Sequence, residues 1–282
     1  MGLLYIVSTP IGNLQDLSYR SVNILKSVDF IITENIHHTK ILLKNFSIIN
    51  KIYSLNKINE KKNTIKYIKK LKKGYNIALV SKAGTPLIND PGFLLVKKSH
   101  KKNIRVVPIP GPCAAIAALC ASGIKTSSFC YEGFLSSNKN FKKKKIKKIK
   151  KEKRTIIFYE SPKRLIQTLK ILSQEIEPTR KITIARELTK IWEQIITGTM
   201  QEIFLFFKKN VNLRKGEIVI ILEGSKIYQK KKITQNMKKI FQILSSEISF
   251  SNSIKIMQKI YGIKKNFLYN KMIQEKFLNE VD

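Results

Sequence analysis

Short apolar runs alternate with longer stretches of helical spacing through the first 225 residues. Runs at 3–8, 29–33, 76–81 and 104–109 predict buried strands, and the stretches near 18–27, 38–45, 60–73 and 92–102 predict helices. Residues 113–121, dense in Ala, predict a helix suited to close packing on a sheet. A second series starts near Phe129, with strands predicted at 155–159, 181–185, 194–197 and 217–222. Ser161 and Pro162 suit the N-cap and first position of a helix over 162–173. The alternation predicts parallel α/β construction. Gly, Thr and Ser interrupt it at 123–128, which sets the expected boundary between an α/β domain over 1–124 and a second over 125–225.

Beyond about residue 226 the strand pattern stops. A basic helical tail is expected over 226–282, where SIKIMQKIYGIKKNFLYNKMIQ predicts a helix, a turn at Gly262 and a second helix. The spacing is helix-turn-helix-like, and fits a nucleic-acid contact or a small helical cap equally well. The run KNFKKKKIKKIKKEKR at 139–154 is the densest block of charge; Ile146 and Ile149 give it one buried stripe on an otherwise solvated helix.

Charge narrows the partners. Lys and Arg number 54 against 19 Asp and Glu, a formal net charge of +35, which predicts a polyanionic partner and salt-sensitive binding. Only seven of the bases are Arg, and Lys, Ile and Asn abound throughout, as AT-biased coding would produce, so part of the charge carries no functional information. No apolar run approaches the roughly 18 residues that span a bilayer, and MGLLYIVSTP suits a first strand better than a signal peptide. Cys113, Cys120 and Cys130 form no CxxC pair, which fits a reducing cytoplasm. His37, His38 and His100 have no metal-ligand spacing with them, and no metal is expected.

Three Gly- and Pro-rich loops each follow a predicted strand: TPIGN (9–13), AGTPLINDPG (83–92) and PIPGPCAA (108–115). Ligands of open α/β sheets bind beyond the strands' carboxyl ends. Gly there admits close backbone approach, and Pro stiffens the loop in advance. The scarce acids also gather at strand ends: Glu34, Asp90, Glu132, Glu160, Glu187 and Glu223. Neither a Walker A sequence nor a GxGxxG after a strand is present, nor a Ser-His-Asp constellation. The loops therefore suggest a small cofactor held by backbone groups.

The ordered set LYIVSTPIGNLQDL, VSKAGTPLINDPG, VVPIPGPCAAIAAL, CYEGFL, IIFYESPKRL, ARELTKIWE and KGEIVIILEG resembles the tetrapyrrole-methylase-like (class III) methyltransferases. It is most similar to the branch that methylates the ribose 2′-OH of a cytidine in 16S rRNA. The resemblance implies a two-domain class III α/β fold, a homodimer, S-adenosylmethionine (AdoMet) in the cleft between the domains, and 16S rRNA of the small ribosomal subunit as partner. Carried over, the cofactor loops would be Pro10 with Gly12, then Ala83, Gly84, Thr85, Pro86 and Asp90, then Pro110, Gly111, Pro112 and Ala114. Tyr159 with Glu160, and Ala185 with Arg186 and Glu187, would close over the cleft.

Ribose hydroxyls are poor nucleophiles at neutral pH, so a nearby carboxylate would assist. Glu34, Glu160 and Glu187 are the candidates, and Arg186 suits a phosphate. The chain departs from the family pattern at three polar positions. VSKAGTP puts Lys82 where the family has Asp, and TENIHHT puts Asn35 and His37 where it has Asp and Arg. A lysine beside a sulfonium predicts weakened cofactor affinity. The alternatives are a class III methylase of a small molecule such as a tetrapyrrole, and a ribosome-binding relative that has lost catalysis.

Overall fold

The computed structural model describes residues 1–226 and 233–279, and side chains to residue 273. The remainder of the expected tail, 227–232 and 280–282, lies outside the described residues. The chain divides into two compact units, Met1–Ser225 and Lys226–Asp282.

The first unit begins with β1 (Leu4–Val7), α1 (Tyr19–Ser27), β2 (Phe30–Thr33), α2 (Ile36–Asn45) and β3 (Ile52–Ser54). It continues with α3 (Glu60–Lys72), β4 (Ile77–Val80), α4 (Phe93–Lys101), β5 (Val106–Ile109) and α5 (Ala114–Ala121). These five strands form one parallel sheet in the order β3-β2-β4-β1-β5. β2 and β4 are buried along their whole length, as strands covered by helices on both faces must be. The sequence pattern missed β3, whose three residues are too few to show a period.

A second sheet is built from β6 (Phe129–Phe134), β7 (Thr155–Glu160), β8 (Lys181–Arg186), β9 (Gln194–Thr199) and β10 (Ile218–Leu222). Its helices are α6 (Lys139–Ile149), α7 (Pro162–Glu175) and α8 (Met200–Lys209). The strand order is β6-β7-β10-β8-β9. The expectation of parallel construction fails here. Only β6 and β7 run parallel; β10 is antiparallel to β7 and β8, and β8 to β9. The segment 187–193 between β8 and β9 is too short for the crossover that parallel neighbours need.

The expected boundary at 124/125 falls between the two sheets in the chain, but packing crosses it. Ala115, Ala118 and Leu119 of α5 pack with Ile157, Ala185, Val219 and Ile221 of the second sheet. Alanines let that helix lie close, and residues 1–225 form one unit.

In the second unit, α9 (Gln235–Glu247), α10 (Phe250–Tyr261) and α11 (Lys265–Asn279) share a core that includes Met237, Phe241, Ile254, Met257 and Leu268. Gly262, with φ of 58°, takes the left-handed conformation that ends α10 and turns the chain into α11. Among the described residues no helix is long and apolar enough to cross a membrane.

Candidate active site

β4, β1 and β5 are adjacent, so the three Gly- and Pro-rich loops leave the same sheet edge side by side. They are clasped together. Thr9 and Gly84 exchange two backbone hydrogen bonds of 3.0 Å each, and Gly84 does so at φ of 80°, where a side chain is strained. The Thr85 hydroxyl donates to Pro112 O at 2.9 Å and, with its proton so engaged, accepts from Ser8 Oγ at 3.1 Å. Leu87 and Asn89 hold φ near 70° without being glycine. Strain of this kind persists only where the surroundings enforce it.

Beyond these loops lies a cavity of about 430 Å³, within the range of small-molecule sites. One side is Ile11, Ala83, Gly84, Thr85, Asp90 and Ala114, with Glu34 from the end of β2. The other is Phe134, Tyr159, Glu160, Ser161, Pro162, Leu188 and residues 217–219 of the second sheet. Tyr159 joins the two sides: its Oη accepts from Ala115 N at 3.2 Å, and its ring meets Tyr131 and Phe134 edge-on. Burial and the neighbouring Cys113 thiol push its phenol up to about 12, so it stays protonated.

Four carboxylates line the cavity, and they differ in what they can do. Glu160 is buried and fully engaged. Its Oε1 accepts from Ser161 N at 2.8 Å and Arg164 Nη2 at 2.9 Å, and its Oε2 accepts from Thr168 Oγ1 at 2.5 Å. Glu217 is paired with Lys190 at 3.1 Å. Glu34 accepts from Lys82 N at 3.1 Å through Oε1 alone. Burial first, and then the charge of Glu34, push Asp90 from 3.8 up to about 6, against a hydrogen bond from Ser81 and the charge of Lys57. Glu34 and Asp90 are thus the acid pair left available.

The remaining expected residues do not line the cavity. For Glu187, Oε1 accepts from Glu217 N at 2.7 Å and Lys190 Nζ at 3.0 Å. Burial raises its pKa, but those hydrogen bonds and the Lys190 charge bring it below the ordinary value. Arg186 commits its guanidinium to Lys215 O, Trp192 O and Gln194 Oε1, which leaves no fork for a phosphate. Pro10, Gly12, Pro86, Pro110, Gly111 and Pro112 are likewise outside the lining. Gly12 is where the 188–190 segment comes closest: a Cβ there would sit 2.9 Å from Leu188 O. Of the three departures, Lys82 is among the cavity's lining residues and Asn35 and His37 are not. Lys82 is exposed, and Asn35 caps α2, its Oδ1 accepting from His38 N at 3.0 Å, a task Asn and Asp perform equally.

Residues 3–203 match the model of the Tetrapyrrole (Corrin/Porphyrin) Methylases. The chain belongs to the tetrapyrrole methylases. Among these it groups with proteins named ribosomal RNA small subunit methyltransferase I. It is 51% identical to the one from Buchnera aphidicola subsp. Schizaphis graminum, over 98% of this chain and 97% of that protein. It is 42% identical to the one from Escherichia coli O157:H7, over 98% and 96%. Among solved structures the methyltransferase CobJ superposes with a TM-score of 0.59 at 17% identity, covering 80% of this chain and 95% of that one. Diphthine synthase gives 0.58 at 13%, covering 79% and 90%. These two show the class III fold.

Tetrapyrrole methylases of this class use AdoMet. The cavity fits such a group: apolar walls suit a nucleoside, and an acid pair with no ion-paired lysine or arginine among the described residues suits a sulfonium and an α-ammonium. Ile88, Asn89, Cys113, Ser161, Pro162 and Leu188 also line it and were not singled out from the sequence as binding residues. All six lie within the motifs quoted above, which was the available signal; which motif positions face the cavity is set by the tertiary fold.

Proposed function

We propose that the chain is an AdoMet-dependent methyltransferase of 16S rRNA, acting on the ribose 2′-OH of a cytidine in the decoding centre of the small ribosomal subunit, in the cytoplasm and as a homodimer. The observation that carries this is the identity of 40 to 51% to the small subunit methyltransferase I proteins, sustained over nearly the whole chain. The domain organisation goes with it, with the 1–124 and 125–225 segments contributing opposite sides of the cavity and the 226–282 tail as a separate basic unit.

Bound AdoMet supplies an electrophilic methyl group on a sulfonium. The chain's own residues then have three tasks. Ala83, Gly84, Thr85 and Ala114 give the site a wall fixed in advance by the loop clasps, so binding has little left to order. Ile11, Phe134, Tyr159 and Leu188 exclude water. Glu34 and Asp90 complement positive charge and accept the proton of the attacking hydroxyl. A base with a pKa of about 6 is well matched to neutral pH, being mostly ionised yet still able to hold a proton.

The test is transfer of labelled methyl from AdoMet to small subunits isolated from cells lacking this modification. Label in 16S rRNA is the expected result; no label, or label confined to protein, overturns the reading.

A further inference from the structure

The densest lysine run and the groove lined by lysines are different places. On α6, three of the seven lysines, Lys142, Lys143 and Lys145, pair with Glu160, Glu175 and Glu132, which leaves Lys139, Lys144, Lys147 and Lys148 without an ion pair among the described residues. On α3 and the residue after it, Lys62, Lys66, Lys69, Lys70 and Lys73 form no ion pair among the described residues. Their spacing of four, seven, eight and eleven residues from Lys62 puts all five on one stripe of the helix. With Ile65 they line a groove of about 480 Å³. The ammonium groups of Lys66 and Lys70 stand 5.6 and 4.7 Å from the ring centres of Tyr53 and Tyr75, both exposed. These rings limit the freedom of long side chains that would otherwise be costly to order.

The stripe also starts in a particular place. A helix that follows a strand begins at the carboxyl edge of the sheet, where the cavity lies. Glu60, the only acid of α3, accepts from Gly92 N and Leu94 N at 2.9 Å each, which ties the start of α3 to the loop carrying Asp90. From there the five lysines cover about 16 Å along the helix at 1.5 Å per residue.

We infer that the α3 stripe is a track for the RNA phosphate backbone, leading substrate to and from the mouth of the cavity. The inference rests on the rRNA reading above for its partner. It is carried by charge complementarity: five cations on one face, none offset by an acid, with an apolar floor where sugar edges can lie. Removing one lysine–phosphate pairing should flatten the salt dependence of binding, the slope of log K against log salt, by about 0.7 to 0.9.

The experiment uses the full-length chain with K62Q, K66Q, K69Q and K73Q combined, beside an α6 variant, K139Q, K144Q, K147Q and K148Q, that removes the same charge. Affinity for protein-free 16S rRNA and for intact undermethylated small subunits is followed over a salt series. The α3 variant should bind both with a slope shallower by about 3, and the α6 variant with a slope changed by less than 1. The corresponding four-fold Lys→Arg variant of α3 should keep the wild-type slope, which separates charge from misfolding. Equal losses in the two Gln variants would reduce the track to bulk charge and overturn it. Weaker binding to subunits with unchanged binding to protein-free RNA would assign the stripe to a ribosomal protein and also overturn it. Label transfer by the wild type is scored separately. Label with an unchanged α3 slope sinks the track alone, whereas no label with a shallower slope keeps the track and sinks the rRNA reading.

Discussion

Lys142 lies with no solvent exposure and places Nζ 3.7 Å from Oε2 of Glu160, a carboxylate in the wall of the cavity. Thr168 bridges them: its Oγ1 receives Nζ at 2.8 Å and donates to Oε2 at 2.5 Å. Burial pushes the Lys142 ammonium below its ordinary 10.5, and the Glu160 charge opposes that shift. The pair anchors α6 to the end of β7, Thr168 adds α7 to the contact, and Glu160 is fixed as a structural anion.

Lys142→Met should therefore act on stability before it acts on chemistry. Removing one partner of a buried pair costs about 3–5 kcal/mol, and Arg164, still at 2.9 Å from Glu160, should hold the loss to the lower end. Urea unfolding of the single variant, and of K142M combined with E160Q, checks this; the double variant should lose less than the sum of the two singles.

Asp90 makes stability depend on pH in a defined direction. Its pKa is 3.8 when unfolded and about 6 when folded, so between these values the folded state holds more protons. Stability should fall as pH rises from about 4 to about 6, then level off. Asp90→Asn should flatten that segment of a thermal-melt series and raise stability at pH 7.

The same ionisation should tune ligand binding. A cationic donor should bind more tightly as Asp90 loses its proton, so the AdoMet Kd falls as pH rises through 6, and Asp90→Asn removes the trend. Calorimetry over that range decides the matter.

Lys82 lines the cavity, yet the lysine whose charge acts on Asp90 is Lys57. A solvated ammonium repels a nearby cation by about 1 kcal/mol. Lys82→Gln, which removes that one charge, should accordingly tighten AdoMet about fivefold at low salt, and Lys82→Asp, which reverses it, by more, with the gain shrinking as salt screens it. Unchanged affinity in a titration would remove Lys82 from the site's electrostatics.

Gly12→Ala tests whether that glycine serves packing. The added methyl would meet Leu188 O at 2.9 Å, and overpacking of this kind costs about 1–3 kcal/mol. A lowered Tm is expected, reversed in part by relieving the neighbouring Lys190 side chain with Lys190→Ala.

Much of this was legible in the sequence, for physical reasons. The buried strands of the first sheet are continuous apolar runs, and the loops that frame the cavity are marked by Gly and Pro at their ends. What the glycines do was not legible. Gly12 accommodates the 188–190 segment, which is remote in the chain, and no local pattern encodes a contact of that range. Lys142 is a nearer miss. It falls four residues before Ile146 and seven before Ile149, on the same helical stripe, but a charged residue at a buried position is rare enough that composition argued against it. The antiparallel half of the second sheet was signalled only by a short β8–β9 connection, and α8 by the capping box of Thr199 and Glu202. The roles expected of Glu187 and Arg186 rested on the family resemblance, with a strand-end position for Glu187 and a planar fork for Arg186, and tertiary hydrogen bonds engage both side chains elsewhere.

The most direct measurement is mass-spectrometric mapping of the nucleotide that gains a methyl group when the purified chain acts on undermethylated small subunits. The account predicts one cytidine of 16S rRNA carrying the methyl on its ribose, with the yield lowered about 10²- to 10⁴-fold by Asp90→Asn together with Glu34→Gln. A methyl group on a base, or a ribose mark formed equally well by that double variant, would contradict it.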